Sequence, residues 1–329
     1  MRPVRPALLA VLTVAALTAT ACGASGTEAT TASVTDSSGK SLNLTSKQDR
    51  IIPAKVDSIA AEVPAAIRQR GDIVIAQGSG AGNPPFGFPA SDNDSVFIGD
   101  EVDISNLIAG VLGLKLETTN TSWEGLFLGI DSGRYDLGVS NITVTEARKD
   151  KYDFATYRKD NLAVEVAKDS TLTFTGPQSF DGKTIAVGSG TNQEKILQQY
   201  DADVKAKGGK GINIKYYQDT TGVYSALASG QIDAYFSPYP VSAFHVAQTV
   251  GTPQATKIVG NVSGAGTTLQ GLIAATTKKG SGLVKAVQDA INHVIANGDY
   301  AKVLAKWNLS GEAVTKSEIN PPGLPRDNK

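Results

Sequence analysis

Four residues near the middle of the chain have the types and spacing to hold a small anion. In SGRYDLGVSNITVTEARKD (132–150), an apolar run ends on Ser140 and Asn141, Thr143 follows, and Arg148 stands where a new turn begins. An arginine presents a planar fork of donors that fits a carboxylate in two parallel hydrogen bonds, and it stays charged when water is removed. Hydroxyl and amide groups beside it supply further polar partners. The same arginine in TEARKD also reads as an exposed turn residue beside Glu146 and Asp150.

Other chemistries find little support. His245 and His293 are the two histidines, each inside an apolar helical pattern (SAFHVAQTV and INHVIAN), and Cys22 is the single cysteine. No HExxH or Cys-His metal pattern and no placeable Ser-His-Asp set is present, so no cofactor and no metal are expected. GSGAG (78–82) lacks the Gly-Lys-Ser/Thr of a phosphate loop, and the prolines after it prevent a helix from starting. A formal charge of −1 offers no excess of cations for nucleic acid.

Elements that could position the arginine alternate along the chain. The 329 residues, 41% hydrophobic and 19% charged, suffice for two cores. Asp72–Gly78, LKLETT, YDLGVSN, TIAVGSG, INIKYYQ, DAYFS and LQGLIAATT read as strands. Between them lie helical patterns, such as 102–113 with Ile104, Leu107, Ile108, Val111 and Leu112 on one side. This alternation predicts α/β architecture with mostly parallel sheets. The loop from Gly78 to Ser95 is predicted to lack regular structure because of its Pro and Gly content. DSGRYDLGVS and ASGQIDAYFS echo each other and end at Ser140 and Ser237. Ligands of open parallel sheets bind beyond the carboxyl ends of strands, so one such end per lobe would define one cleft.

The N-terminus reads as a processed leader. Arg2 and Arg5 precede an apolar run from Ala7 to Ala19, too short to span a bilayer, and small residues lead to Cys22. The placement resembles a lipobox, with Ala19 where leucine is usual; a cleaved secretory signal is the alternative. A Thr-, Ser-, Ala- and Gly-rich stretch follows and predicts a flexible tether.

The run VDISNLIAGVLGLKLETTNTSWEGLFLGIDSGRYDLGVSNITVTEARKDKYDFA, with FDGKTIAVGSGTNQEKIL, ASGQIDAY and GLIAATTKKGSGLVKAVQDAINHVIANGDYAKVLAKWNL, resembles the amino-acid-type solute-binding proteins of ABC importers, extracellular solute-binding protein family 3. That resemblance implies a two-lobed, type II periplasmic-binding-protein-like fold, each lobe a mostly parallel sheet flanked by helices, joined by two hinge crossings. The implied boundaries are a signal peptide (1–21), lipidated Cys22 and tether (22–50), and an N-terminal helical extension (51–71). Lobe one follows (72–162), then lobe two with the hinges (163–268), the rest of lobe one (269–310) and a tail (311–329).

On this resemblance Arg148 and Thr143 hold a ligand carboxylate, Ser140 and Asn141 accept from its ammonium, and Thr191 and Asn192 complete the carboxylate cradle. Thr191 also reads as a helix N-cap with Glu194 in a capping box. Phe86, with Phe88 next, packs on the ligand; Trp123 either flanks it or packs helix against loop. Ser237 stands where the family places an aspartate for the ammonium, and Asp100 where it usually has an aromatic residue. Tyr157 and Arg158 are expected near the cleft mouth. The implied function is a monomeric, non-enzymatic, extracytoplasmic lipoprotein that captures a carboxylate-bearing solute and passes it to a membrane permease. A dehydratase-like enzyme on the same fold and a ligand-sensing lipoprotein are the alternatives.

Overall fold

A computed structural model describes residues 33–35, 41–78 and 83–326. The signal peptide and Cys22 lie outside the described residues. Two short strands, β1 (Ser33–Thr35) and β2 (Ser41–Asn43), pair antiparallel. Pro64 splits the first helical pattern into α1 (Asp57–Ala60) and α2 (Ala65–Arg70), as its missing N–H requires.

The first lobe contains β3 (Asp72–Gln77), β4 (Phe88–Ala90), β5 (Asn93–Ile98), α3 (Asp100–Leu112), β6 (Lys115–Asn120), α4 (Trp123–Ser132) and β7 (Leu137–Gly138). The 16-residue strand β8 (Tyr152–Ala167) leads into the second lobe. There β9 (Thr184–Gly188), α5 (Asn192–Ala206), β10 (Asn213–Tyr217), α6 (Thr220–Ala228), β11 (Ala234–Pro238), α7 (Tyr239–Thr249) and β12 (Thr256–Ser263) follow. The chain returns through β13 (Gly271–Lys278), α8 (Val284–Ala296) and α9 (Asp299–Lys306).

Both lobes share β8. The strand order is β10-β9-β11-β8-β13-β7-β3-β6, with β12 also on β8. Residues 152–160 of β8 pair with β13, whereas 161–167 pair with β12 and 162–165 with β11. The partner therefore changes at Asp160 and Asn161, slightly ahead of the lobe boundary expected at 163. Pairs β3–β6, β3–β7, β9–β10 and β9–β11 are parallel.

The two echoing phrases do the same job in each lobe. Asp136 accepts from Val74 N at 2.8 Å, and Asp233 accepts from Thr184 N at 2.8 Å. Each aspartate also donates its own N–H to the carbonyl of the same residue. Each thus ties the strand it precedes to the strand beside it, and one satisfied carboxylate fixes the register at both places.

Two expectations need correction. The loop from Gly78 to Ser95 contains β4 and the start of β5, because a hairpin tolerates proline and glycine at its edges. The tether is not featureless: Val34, Leu42 and Leu44 are buried in the first lobe's core cluster, which also takes in Phe244 of α7, and Ser46 N donates to Asp92. Three apolar side chains in a polar background are enough to dock a short hairpin. The tail is bonded to the fold as well. Residues 318–320 bond to the edge of β8 at Thr156 and Phe154. Leu324 then pairs with Val144 of the first lobe and packs its side chain in the core of the second.

Candidate functional site

The carboxyl ends of β3 and β7 in the first lobe and of β9 and β11 in the second border a cavity of about 360 Å³. Seven of the residues expected at the site line it: Phe86, Trp123, Ser140, Asn141, Thr191, Asn192 and Ser237. Arg148 and Thr143 stand just outside the lining.

Arg148 opens a 3₁₀ turn (Arg148–Asp150) whose first N–H donates to Thr145 Oγ1 at 3.1 Å. Its guanidinium donates to Thr143 O at 2.9 Å and, across the cleft, to Gly190 O at 3.2 Å. It lies 5.2 Å from the Trp123 ring centroid and 5.3 Å from that of Phe127. Trp123 Nε1 donates to the same Gly190 carbonyl at 3.3 Å. Burial lowers the Arg148 pKa to about 10 while Asp160 and Tyr152 oppose this, so it remains a cation at neutral pH.

Gly190 precedes α5, where the N-cap half of the expected capping box forms and the glutamate reaches one residue further back. Thr191 Oγ1 accepts from Glu194 N at 3.2 Å, and Glu194 Oε2 accepts from Gly190 N at 2.6 Å. The dipole at this helix start favours an anion in the cleft. Thr191 is therefore both cap and lining residue. Asn192 turns its amide to Asp160 Oδ2 (3.0 Å) and Gly264 O (2.9 Å).

Several side chains expected to face a ligand are already committed. Thr143 is fully buried and its hydroxyl donates to Asp160 Oδ2 at 2.7 Å, because a buried carboxylate requires donors. Ser140 Oγ accepts from Gly78 N at 2.8 Å, and Ser237 Oγ shares a 2.7 Å hydrogen bond with Ser242. Ser237 supplies no charge to an ammonium.

Asn141 adopts φ +49°, unusual for a residue with a side chain and a frequent mark of functional sites. A buried network holds it there. Asn141 N donates to Glu101 Oε1 (3.1 Å), and its Oδ1 accepts from Arg158 Nη2 (2.5 Å). Arg158 also pairs with Glu101 at 3.2 Å, Asp100 at 3.5 Å and Glu312, and lies 4.7 Å from the Phe86 ring centroid. Tyr157 donates to Glu101 Oε2. The expectation that Tyr157 and Arg158 sit at the cleft mouth is thus overturned. Both are fully buried, and three carboxylates hold the arginine inside. Asp100, the departure from the family pattern, is one of these acids rather than a cleft residue.

Phe86 reaches the cavity because the α3 N-terminus caps its loop: Asp100 N donates to Pro85 O and Glu101 N to Phe86 O, each at 3.0 Å. Gly99 makes the approach possible, at φ +136°, since a Cβ there would fall 2.0 Å from Phe86 O. Phe88 instead packs in the core against Phe244 and Trp307.

The model of the bacterial extracellular solute-binding proteins, family 3, matches residues 75–310. The chain belongs to this family.

Family 3 relatives agree with the observed architecture. The chain is 29% identical over 273 residues to the arginine-binding protein ArgT of Corynebacterium glutamicum, covering 83% of this chain and 86% of that protein. It is 30% identical over 251 residues to the L-cystine-binding protein TcyJ of Escherichia coli K12, covering 76% and 86%. An ancestral arginine-binding protein solved with arginine bound superposes with a TM-score of 0.63 at 25% identity, over 72% of this chain and 98% of that one. These relatives are binding proteins for amino acids. The type II two-lobed fold holds for this family 3 chain.

Sequence reasoning missed the second lobe's contribution from the β10–α6 connection, where Tyr217, Gln218, Asp219, Thr220 and Thr221 line the cavity. Asp219 caps α6, accepting from Gly222 N at 2.8 Å, and is the only charged residue in the described lining. The Asp-Thr-Thr-Gly run before a helical pattern was a readable N-cap signal. Among the described residues no group of His, Cys, Asp and Glu is arranged to hold a metal ion, and no helix is long and apolar enough to cross a membrane.

Proposed function

We propose that this family 3 protein captures an amino acid in the interlobe cavity and delivers it to the permease of an ABC importer. The observation that carries the reading is the convergence on one Gly190 carbonyl of Arg148 and Trp123 from the opposite lobe. A carbonyl is a weak acceptor for a desolvated guanidinium; a ligand carboxylate is a stronger one and fits its fork. In this reading the carboxylate takes those donors at the cleft wall beside the α5 N-terminus. A cationic group of the ligand, ammonium or side chain, faces Asp219. Ser140, Asn141 and Thr191 add polar contacts and Phe86 an apolar wall.

The cavity volume suits a single amino acid, and the named relatives bind arginine or L-cystine. The arginine-rich start, the short apolar run and Cys22 support secretion and lipid anchoring at the outer face of the membrane, with the protein acting as a monomer.

Thermal-shift screening against the twenty amino acids, L-cystine, amines and organic acids tests this. The expected result is a rise in melting temperature with a zwitterionic amino acid, growing with its concentration. No response to any of them, or turnover of one, would overturn the reading. Cys22→Ala is expected to release the protein from membranes into the soluble fraction.

A further inference from the structure

Thr143 belongs to the first lobe and Asn192 to the second, yet both donate to one atom, Asp160 Oδ2. Asp160 is also where β8 changes partners, paired with Gly271 of β13 and followed by Asn161 opposite Ser263 of β12. Its carbonyl accepts from Gly264 N at 2.9 Å and Gln270 Nε2 at 3.2 Å. Its backbone thus holds the second crossing, and its side chain holds one residue from each lobe. The fit is tight: a Cβ on Gly264 would fall 1.7 Å from Oδ2.

Asp160 is a costly residue for this place, 1% exposed. Burial raises its pKa to about 6, with Glu312 adding to the rise; hydrogen bonds from Thr143 and Asn192 and the charge of Arg158 oppose it. An asparagine has the same shape and would carry no buried charge. Arg148, on the wall of the cleft, feels that charge directly. A group that stabilises the fold poorly but organises site residues suits a functional role.

We propose that Asp160 is a positioning residue for ligand capture: one carboxylate oxygen ties Thr143 to Asn192, so the two halves of the site come into register only when the lobes are closed. The proposal rests on the reading of the cavity as the ligand site. Closing and assembling the cradle are then one event, and part of the closure free energy resides at the crossing rather than in ligand contacts.

The test uses the full chain with Cys22→Ser, spin labels on cysteines replacing Leu128 and Tyr216, exposed residues of the two lobes, and the variant Asp160→Asn. In ligand-free protein the wild-type interlobe distance is expected to be narrowly distributed and the variant's broad and longer. Titration calorimetry with L-arginine and L-cystine is expected to show about tenfold weaker binding by the variant, the scale of one lost hydrogen bond to a charged group. The ligand-free melting temperature at pH 8 is expected to be unchanged or higher in the variant. An unchanged distance distribution overturns the proposal whatever the ligand. So does a melting temperature lower by more than about 5 °C, because Asp160 would then be an ordinary structural residue. If neither probe binds the wild type, the choice of ligand fails, while the distance measurement still decides the positioning role.

Discussion

Arg148 of the first lobe donates through Nη2 to the carbonyl of Gly190 in the second, 3.2 Å away. The residue with the best chemistry for a ligand carboxylate is thus engaged by the opposite lobe, and a ligand competes with a backbone oxygen for it. Arg148→Ala is expected to weaken binding of the amino acid found by screening about 100-fold, the loss of roughly 3 kcal/mol from hydrogen bonds made by a charged donor. Arg148→Lys keeps the charge without the fork and is expected to recover part of it. Unaltered affinity by titration calorimetry in Arg148→Ala would remove this residue from the site.

Asp219 carries the only charge in the described lining. Asp219→Asn keeps an N-cap oxygen for α6, so its melting temperature is expected to stay near wild type. Affinity for a cationic ligand is expected to fall about fivefold at low salt, and less at high salt, because the group is exposed and screened. Equal affinities at both salt concentrations would place the ligand's cation elsewhere.

The buried network behind Asn141 predicts a pH signature. Burial raises the pKa values of Asp100, Glu101 and Glu312 in the folded state, Asp100 most clearly, while Arg158 opposes the rise for all three. A raised acid favours folding when protonated, so this contribution is present below the unfolded values of 3.8 and 4.5 and is lost as pH rises through the folded ones. Asp100→Asn is therefore expected to melt at or above the wild-type temperature at pH 8, with the gap closing toward pH 4. Arg158→Met leaves the carboxylates unpaired and is expected to cost about 3–5 kcal/mol at pH 8. Calorimetric melts across that range check both; an Asp100→Asn variant less stable than wild type at pH 8 would contradict the assignment.

Leu324 contributes to the second lobe's core while its backbone pairs with the first lobe. Leu324→Ala is expected to lower stability by about 2–3 kcal/mol, as for other buried leucines. Denaturant unfolding measures this, and a change below 0.5 kcal/mol, about the scale of a surface substitution, would mean the tail is dispensable.

How much of this was readable in advance depended on whether the signal was local. The α3 stripe, the glycine-terminated strands and the paired Asp136 and Asp233 phrases are patterns within a dozen residues, and they folded as read. Phe86, Trp123, Asn141 and Asn192 were legible through ordered motifs and reached the cavity. Asp160 was not legible: its neighbours Thr143, Asn192 and Gly264 lie 17, 32 and 104 positions away along the chain. Arg158 was misplaced because DFATYRKDN departs from the family pattern, so that alignment alone sets this arginine at the cleft mouth. Only the fold brings Asp100, Glu101 and Glu312 around it. The hairpin at the N-terminus was hidden by composition, since three apolar residues barely alter a polar stretch.

The tail has a consequence for motion. The backbone crosses between lobes at Asp160 and near Gly264, and the tail adds a third attachment: residues 318–320 and Leu324 are bonded to the first lobe, while the Leu324 side chain is seated in the second core. Two ribbons side by side leave twisting nearly as easy as bending. A third attachment through the Leu324 side chain, displaced from them, adds resistance to torsion. A reporter attached near Pro325 would therefore stay with the first lobe and register the withdrawal of Leu324 from the second core as the lobes part.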